Sequence, residues 1–262
     1  MRKVAASPAA SPGRGVDGSL DAVTFDFWNT LMWEEQGSLR ARRVEFWKDA
    51  LADVGAPIEV AALERAHDAA HTGYVCAWEE NRQFRVESAA TLMMEMFGRI
   101  IPSSAREVLV EGFSEAGRQA AIHPSQGVRD CLLTLLHAGV RLGIVCDIGL
   151  TPSLVVRELL DRHSLLELFD DTTFSDEVGH YKPARPIFEH ALQRLGDVNP
   201  ERAAHVGDRR RTDVAGARAM GMTAVRYNGA YEDDAVSAPE ADIVLAELAK
   251  LPPLLGVAEM RG

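Results

Sequence analysis

Asp26 closes an apolar, β-branched and aromatic run, Ala22-Val23-Thr24-Phe25-Asp26-Phe27-Trp28. Such a run reads as a buried strand that delivers one acid at its end. Three later segments repeat the pattern. The apolar stretch Arg141–Cys146 leads into Asp147, the stretch Thr172–Ser175 precedes Lys182-Pro183, and Ala203–Val206 runs into Gly207-Asp208, with Asp213 on the next turn. Carboxylates brought together repel unless a cation joins them, and hard oxygen donors suit Mg²⁺. Lys182 would neutralise the remaining charge and hold an anionic group of a substrate. The helix after Thr151 would offer free backbone N–H groups to the same anion. Metal, lysine and helix terminus together suit phosphoryl transfer, which is mostly positioning and charge stabilisation. Asp26 is then the candidate nucleophile, forming an aspartyl-phosphate.

These groups must be held by a sheet. From Val128 onward, helical and extended stretches alternate: helix Val128–Ala138, strand Arg141–Cys146, helix Ser153–Leu160, strand Thr172–Ser175, helix Pro186–Leu195, strand Ala203–Val206, helix Thr212–Met220, strand Thr223–Tyr227 and a last strand Ile243–Leu245. This alternation argues for an α/β fold, a Rossmann-like, doubly wound parallel sheet with helices on both faces. In such sheets ligands bind beyond the carboxyl ends of the strands, which is where the carboxylates and Lys182 fall. Between Leu39 and Ala120 no strand is evident. Helices are expected over Leu39–Val54, Glu59–Arg82, Val86–Phe97 and Ala105–Ala120. The expected organisation is therefore a tail over 1–20, an α/β core from 21–36 and 121–255, and an inserted helical domain over 37–120.

The bulk numbers bound the partners. The chain has 262 residues, 28 Lys and Arg against 39 Asp and Glu, and a formal net charge of −11. No basic stripe offsets that charge, so nucleic acid is not an expected partner. A small anionic substrate is, because a site can be cationic inside an acidic protein. The three cysteines, Cys76, Cys131 and Cys146, are scattered and suggest neither disulfides nor zinc, which fits a reducing, cytoplasmic compartment. No apolar run is long enough for a membrane span, and the Ala/Ser/Pro/Gly-rich start is unlike a signal peptide. A homodimer is left open.

Four segments carry a family resemblance. Asp26-Phe27-Trp28-Asn29-Thr30-Leu31 resembles the first motif of the haloacid dehalogenase-like hydrolases, a strand ending in Asp-x-Asp-Gly-Thr-Leu. Gly143-Ile144-Val145-Cys146-Asp147 resembles the second, and Lys182-Pro183 the third. Gly207-Asp208-Arg209-Arg210-Arg211-Thr212-Asp213 is similar to the fourth, Gly-Asp-x-x-x-x-Asp. The inserted helices resemble that family's first type of cap. The resemblance implies a role for each matched residue. Asp26 is nucleophile and metal ligand, Thr30 supports its loop, and the Trp28 backbone carbonyl is a further ligand. Cys146 and Asp147 stand where a substrate-binding hydroxyl and its neighbour would be. Lys182 balances charge, and Asp208 and Asp213 serve Mg²⁺.

The departures bear on the activity. Phosphatases of the family carry a second Asp, a proton shuttle, where this chain has Trp28, and losing such a group costs about 10²–10⁴-fold. The family's metal-independent 2-haloacid dehalogenases carry an aromatic residue there but lack the Gly207-Asp208 pair. The expected function is Mg²⁺-dependent hydrolysis of a small phosphorylated metabolite. A 2-haloacid dehalogenase and a catalytically weak binding protein are the alternatives. Asp147 is the candidate to replace the missing acid–base. His67 and His71, at helical i,i+4 spacing with no third ligand, are expected to be a solvated or packed pair, and Trp33, Trp47 and Trp78 to be core or cap-interface residues.

Overall fold

A computed structural model describes residues 20–98, 101–235 and 238–257. The expected tail, apart from Leu20, lies outside them. In chain order the strands are β1 (Ala22–Phe25), β2 (Met32–Glu34), β3 (Ile122–Pro124), β4 (Arg141–Cys146), β5 (Asp171–Phe174), β6 (Ala203–Gly207), β7 (Thr223–Tyr227) and β8 (Ile243–Leu245). The helices are α1 (Ser38–Asp53), α2 (Val60–Glu79), α3 (Val86–Phe97), α4 (Ala105–Gln119), α5 (Val128–His137), α6 (Ser153–Arg162), α7 (Ser175–Val178), α8 (Arg185–Arg194), α9 (Ala215–Met220) and α10 (Leu251–Leu254).

Six strands form one sheet in the order β5-β4-β1-β6-β7-β8, and every pairing in it is parallel. The chain winds outward from β1 in both directions, so the strand order reverses beside β1. That is the switch point at which doubly wound sheets bind ligands. The period-two alternation of β1 explains why it can sit at the centre. Val23 and Phe25 join one buried apolar cluster with Leu132 of α5 and Leu159 of α6, while Ala22 joins another with Phe188 of α8 and Ala217 of α9. Both faces are thus covered, as parallel sheets require.

The four helices between Ser38 and Gln119 pack around their own cluster, including Trp47, Leu51, Leu63, Met93 and Phe113. Buried alanines on α2 (Ala66, Ala70, Ala77) and α3 (Ala89, Ala90) keep those helices close. The chain leaves the α/β core along β2 and returns along β3. These strands pair antiparallel, with Trp33 opposite His123, and so tie the two crossings together. Sequence patterning missed this pair because three-residue strands are too short to show alternation. The helix expected over Thr212–Met220 is present, opening as a π-helical turn over Arg210–Val214 before α9 begins at Ala215.

Gly112 fixes the distance between α1 and α4. A Cβ there would collide with the Trp47 indole, whose N–H donates to the Leu109 carbonyl at 3.0 Å. Gly112→Ala is expected to lower unfolding free energy by about 1–3 kcal/mol through overpacking. Urea denaturation checks this, and unchanged stability would contradict the close packing.

Candidate active site

Asp26, only 6 % exposed, follows β1, and its backbone N–H donates to the Val206 carbonyl of β6 at 2.8 Å. The chain then turns sharply. The Phe27 carbonyl accepts from the Leu31 and Met32 amides, and the Met32 carbonyl accepts from Asn29, which takes a left-handed conformation at φ 55°. None of these bonds uses the Trp28 carbonyl. The Trp28 ring packs edge-on against Phe27, 4.8 Å between centroids, and lines the cleft.

Lys182, 2 % exposed, is the hub. Its Nζ donates to Asp26 Oδ1 at 2.7 Å, Asp213 Oδ1 at 2.6 Å and the Val145 carbonyl at 2.9 Å. Burial would lower the Lys182 pKa, but Asp213 and Asp26 raise it well above the ordinary lysine value. Asp213 is saturated. Its Oδ1 also faces His205 Nε2 at 3.0 Å, and its Oδ2 accepts from the Arg209 amide at 3.0 Å and the Thr212 hydroxyl at 3.3 Å. Burial would raise the Asp213 carboxyl, yet Lys182 and His205 outweigh it and hold the group below the usual carboxylate range. Burial keeps His205 neutral, so its Nε2–H donates to Asp213 while Nδ1 accepts from the Thr24 hydroxyl at 2.8 Å. Gly207 has to be glycine, because a Cβ would strike the Asp213 carboxyl.

Asp208 is 2 % exposed, accepts one weak bond from Asn29 Nδ2 at 3.3 Å and lies 3.7 Å from the Arg209 guanidinium. Burial, reinforced by Asp26 and Asp213, pushes its carboxyl well above the ordinary value. Burial also pushes Asp26 up to about 6, against the pull of Lys182. Asp26, Asp208 and Asp213 each place a carboxylate oxygen within 4.8 Å of the others, the one such group of ligands among the described residues. An all-oxygen set with more negative charge than its single lysine balances fits a hard divalent cation.

Asp147, at the end of β4, is partly buried. Its Oδ1 accepts from the Lys182 amide at 2.9 Å and its Oδ2 from the Trp78 indole N–H at 2.8 Å, and burial raises its pKa. Trp78 reaches it from α2, with the Arg211 guanidinium 3.7 Å from the indole centroid. The strand ends and the helical block enclose a cleft of about 720 Å³, lined by Asp26, Trp28, Asp147, Lys182, Asp208 and Asp213 on the core side.

Two expected site residues lie elsewhere. Cys146 is fully buried in the apolar core, where burial pushes its thiol up, and Thr30 is fully buried with no hydrogen-bond partner for its hydroxyl. Neither lines the cleft. Both occupy inward positions beside residues that do line it, so motif matching could not separate them. The start of α6 also differs from expectation: the Ser153 amide donates to Asp176 at 3.3 Å, and Gly149, Leu150 and Thr151 reach the cleft instead. Tyr74 carries no signal in the sequence, Arg43 does not stand out from Arg40 and Arg42, the His67–His71 pair is expected to be solvated or packed, and Trp78 is expected in the core or at the cap interface; all five line the cleft. Only the helical periodicity of α1 and α2 hinted at a shared face.

The sequence model of the haloacid dehalogenase-like hydrolases matches residues 20–221. The chain belongs to that family. It is 38% identical over 109 residues to the glyceraldehyde 3-phosphate phosphatase of Methanothermobacter thermautotrophicus, covering 42% of this chain and 46% of that one. It is 27% identical over 150 residues to the phosphoglycolate phosphatase of Vibrio vulnificus, covering 57% and 63%. The matches span about half the length of these curated relatives. In fold it is similar to a HAD phosphatase from Thermococcus onnurineus (TM-score 0.63, 24% identity, 92% of this chain and 100% of that one). It is equally similar to a 2-haloacid dehalogenase from Pseudomonas syringae (TM-score 0.65, 22% identity, 90% and 98%). Among the described residues no helix is long and apolar enough to cross a membrane.

Removing the ammonium strands two buried carboxylates. Lys182→Met is expected to cost about 3–5 kcal/mol of stability, the usual range for breaking a buried pair. Chemical denaturation reads it out, and a loss under about 1 kcal/mol would mean that the cluster is not held by this lysine.

Proposed function

We propose that this protein is a Mg²⁺-dependent phosphohydrolase acting on a small phosphorylated metabolite, with Asp26 as nucleophile. The observation that supports this most is Asp208. It is a buried carboxylate whose cation, the partly exposed Arg209, stands 3.7 Å away, set beside a nucleophile candidate whose charge Lys182 already shares. Several relatives bear phosphatase names. Asp26, Asp208 and the Trp28 carbonyl would hold the metal, with Asp213 anchoring Lys182 behind them. Bound Mg²⁺ would neutralise charge on the transferring phosphoryl group.

Lys182 keeps Asp26 ionised and aimed, because its ammonium contacts Oδ1 and leaves Oδ2 for attack. In the first step Asp26 bonds to phosphorus and the ester P–O bond breaks, so the alcohol leaves as an alkoxide that must gain a proton. Water then attacks phosphorus, the acyl-phosphate P–O bond breaks, and Asp26 is regenerated with release of phosphate. Trp28 carries no proton for either step. We assign that exchange to Asp147, a cleft carboxyl whose pKa burial raises and whose strand adjoins β1. The helical block acts as a cap, with Trp78 closing over Asp147.

Asp147→Asn is expected to lower turnover by about 10²-fold and to alter its pH profile. Unchanged turnover and profile would remove Asp147 from the mechanism. The class itself is tested by assaying phosphate release from phosphate esters and halide release from 2-haloacids, each with Mg²⁺ and with EDTA. Phosphate release that needs both Mg²⁺ and Asp26 is expected, with Asp26→Asn inactive. Halide release indifferent to EDTA would establish the dehalogenase reading instead.

A further inference from the structure

Trp78 stands on α2, in the helical block, yet its ring is held by two groups of the α/β core. Its indole N–H donates to Asp147 Oδ2 at 2.8 Å, and the Arg211 guanidinium lies 3.7 Å from its ring centroid. Arg211 belongs to the turn after β6, between Asp208 and Asp213. Its Nη2 is buried with no hydrogen-bond partner, so the indole face is what accommodates this cation.

A carboxyl held at one oxygen can still rotate about its Cβ–Cγ bond. The Lys182 amide holds Asp147 Oδ1 at 2.9 Å, and the Trp78 indole holds Oδ2. Two donors on two oxygens set both the position and the plane of the group. A carboxylate accepts about four bonds, so lone pairs remain for a proton in transit. The Arg211 charge on the ring face draws electron density from the indole and makes its N–H a better donor. Trp78 is itself anchored. Just after α2 the Phe84 amide donates to the Tyr181 hydroxyl at 3.1 Å, which donates to the Ile148 carbonyl at 3.2 Å. Tyr181 precedes Lys182 and Ile148 follows Asp147, so the segment that carries Trp78 is pinned to the chain neighbours of both.

We propose that Trp78 is a positioning residue that fixes the plane of the Asp147 carboxyl for proton transfer, and that Arg211 acts through it. This rests on the reading of Asp147 as the acid–base. Without the indole N–H, Asp147 keeps its place in the chain and loses its aim.

Two esters separate this role from a loss of packing. Ethoxide needs a proton as it leaves ethyl phosphate, whereas p-nitrophenolate leaves p-nitrophenyl phosphate without one. Trp78→Phe keeps a ring for Arg211 and removes the N–H. It should lower kcat/KM for ethyl phosphate about tenfold, the low end for a hydrogen bond to a charged group, and change that for p-nitrophenyl phosphate little. Asp147→Asn should show the same contrast, enlarged. Arg211→Met should lower kcat/KM for ethyl phosphate about two- to fivefold, with no further effect in Trp78→Phe protein. The ethyl phosphate profile of Trp78→Phe should move to higher pH, because the indole N–H stabilises the Asp147 charge. Lys182, Asp213, Asp26, Cys146, Tyr74 and Tyr181 also face Asp147, and Trp78→Phe alters none of them.

Proton–nitrogen-15 spectra read the indole N–H groups of the four tryptophans without turnover. One peak, lost in Trp78→Phe, should move with pH and stop moving in Asp147→Asn. A Trp78 peak indifferent to pH overturns the proposal. If no ester releases phosphate, the phosphohydrolase reading fails, and this peak still decides whether Trp78 holds Asp147. If Asp147→Asn keeps full turnover, the acid–base reading fails and the proposal with it. If Asp147→Asn is impaired and Trp78→Phe is not, or Trp78→Phe harms both esters equally, the proposal alone is overturned. Should Trp78→Phe not fold, Arg211→Met on the two esters and the peak that stops moving in Asp147→Asn decide.

Discussion

The ammonium of Lys182, held between Asp26 and Asp213, is the contact on which the rest of the site depends. Three buried carboxylates at the end of a sheet would repel one another, and each would pay for leaving water. One lysine reduces both costs for two of them. It can do so because β4 also offers the Val145 carbonyl, which completes its donor set. Asp213 makes the lysine possible in turn. His205, Thr212 and the Arg209 amide surround it, so its charge is stabilised at a depth where burial alone would protonate it. What is left over is Asp208, which has only a long contact to Asn29 and a 3.7 Å approach from the partly exposed Arg209. The site is neutralised in part and negative in part, which is the arrangement a divalent cation completes.

The sheet exists to hold that balance. β1 sits between β4 and β6 in parallel register, with Phe25 opposite Ile144 on one side and Val206 on the other. Asp26, Asp147 and Asp208 follow directly from those three neighbouring strands, so a fixed register sets their spacing. The apolar clusters on both faces make the register costly to slip. The helical block supplies what the sheet cannot: Trp78 on Asp147, the Arg43–His67 pair, and a second wall for the cleft.

Much of this was legible in the residues. Strands β4 and β7 and helix α3 fell where periodicity put them, and Asp26, Lys182, Asp208 and Asp213 came together as their strand-end positions required. Position at a strand end is a strong signal because topology alone brings such residues to one edge. Side-chain direction is a weaker one. Cys146 and Asp147 are chain neighbours, yet the strand's alternation buries the thiol and turns the carboxylate to the cleft. Arg43 could not be told from Arg40 and Arg42 by sequence, since all three stand on one helix. Only packing shows that Arg40 and Arg42 meet carboxylates and Arg43 meets none. The short strands β2 and β3 were invisible for a different reason: they pair across the whole inserted block, and no local pattern records that.

The central claim is that this carboxylate cluster holds one divalent cation through Asp208 and Asp26, with Lys182 balancing the remainder. Calorimetric titration of Mg²⁺ into the purified protein, stripped of metal beforehand, tests it most directly. The account predicts a single site of one-to-one stoichiometry in the wild-type protein and its loss in Asp208→Asn, with folding intact. No Mg²⁺ binding by the wild-type protein, or undiminished binding by Asp208→Asn, would contradict it.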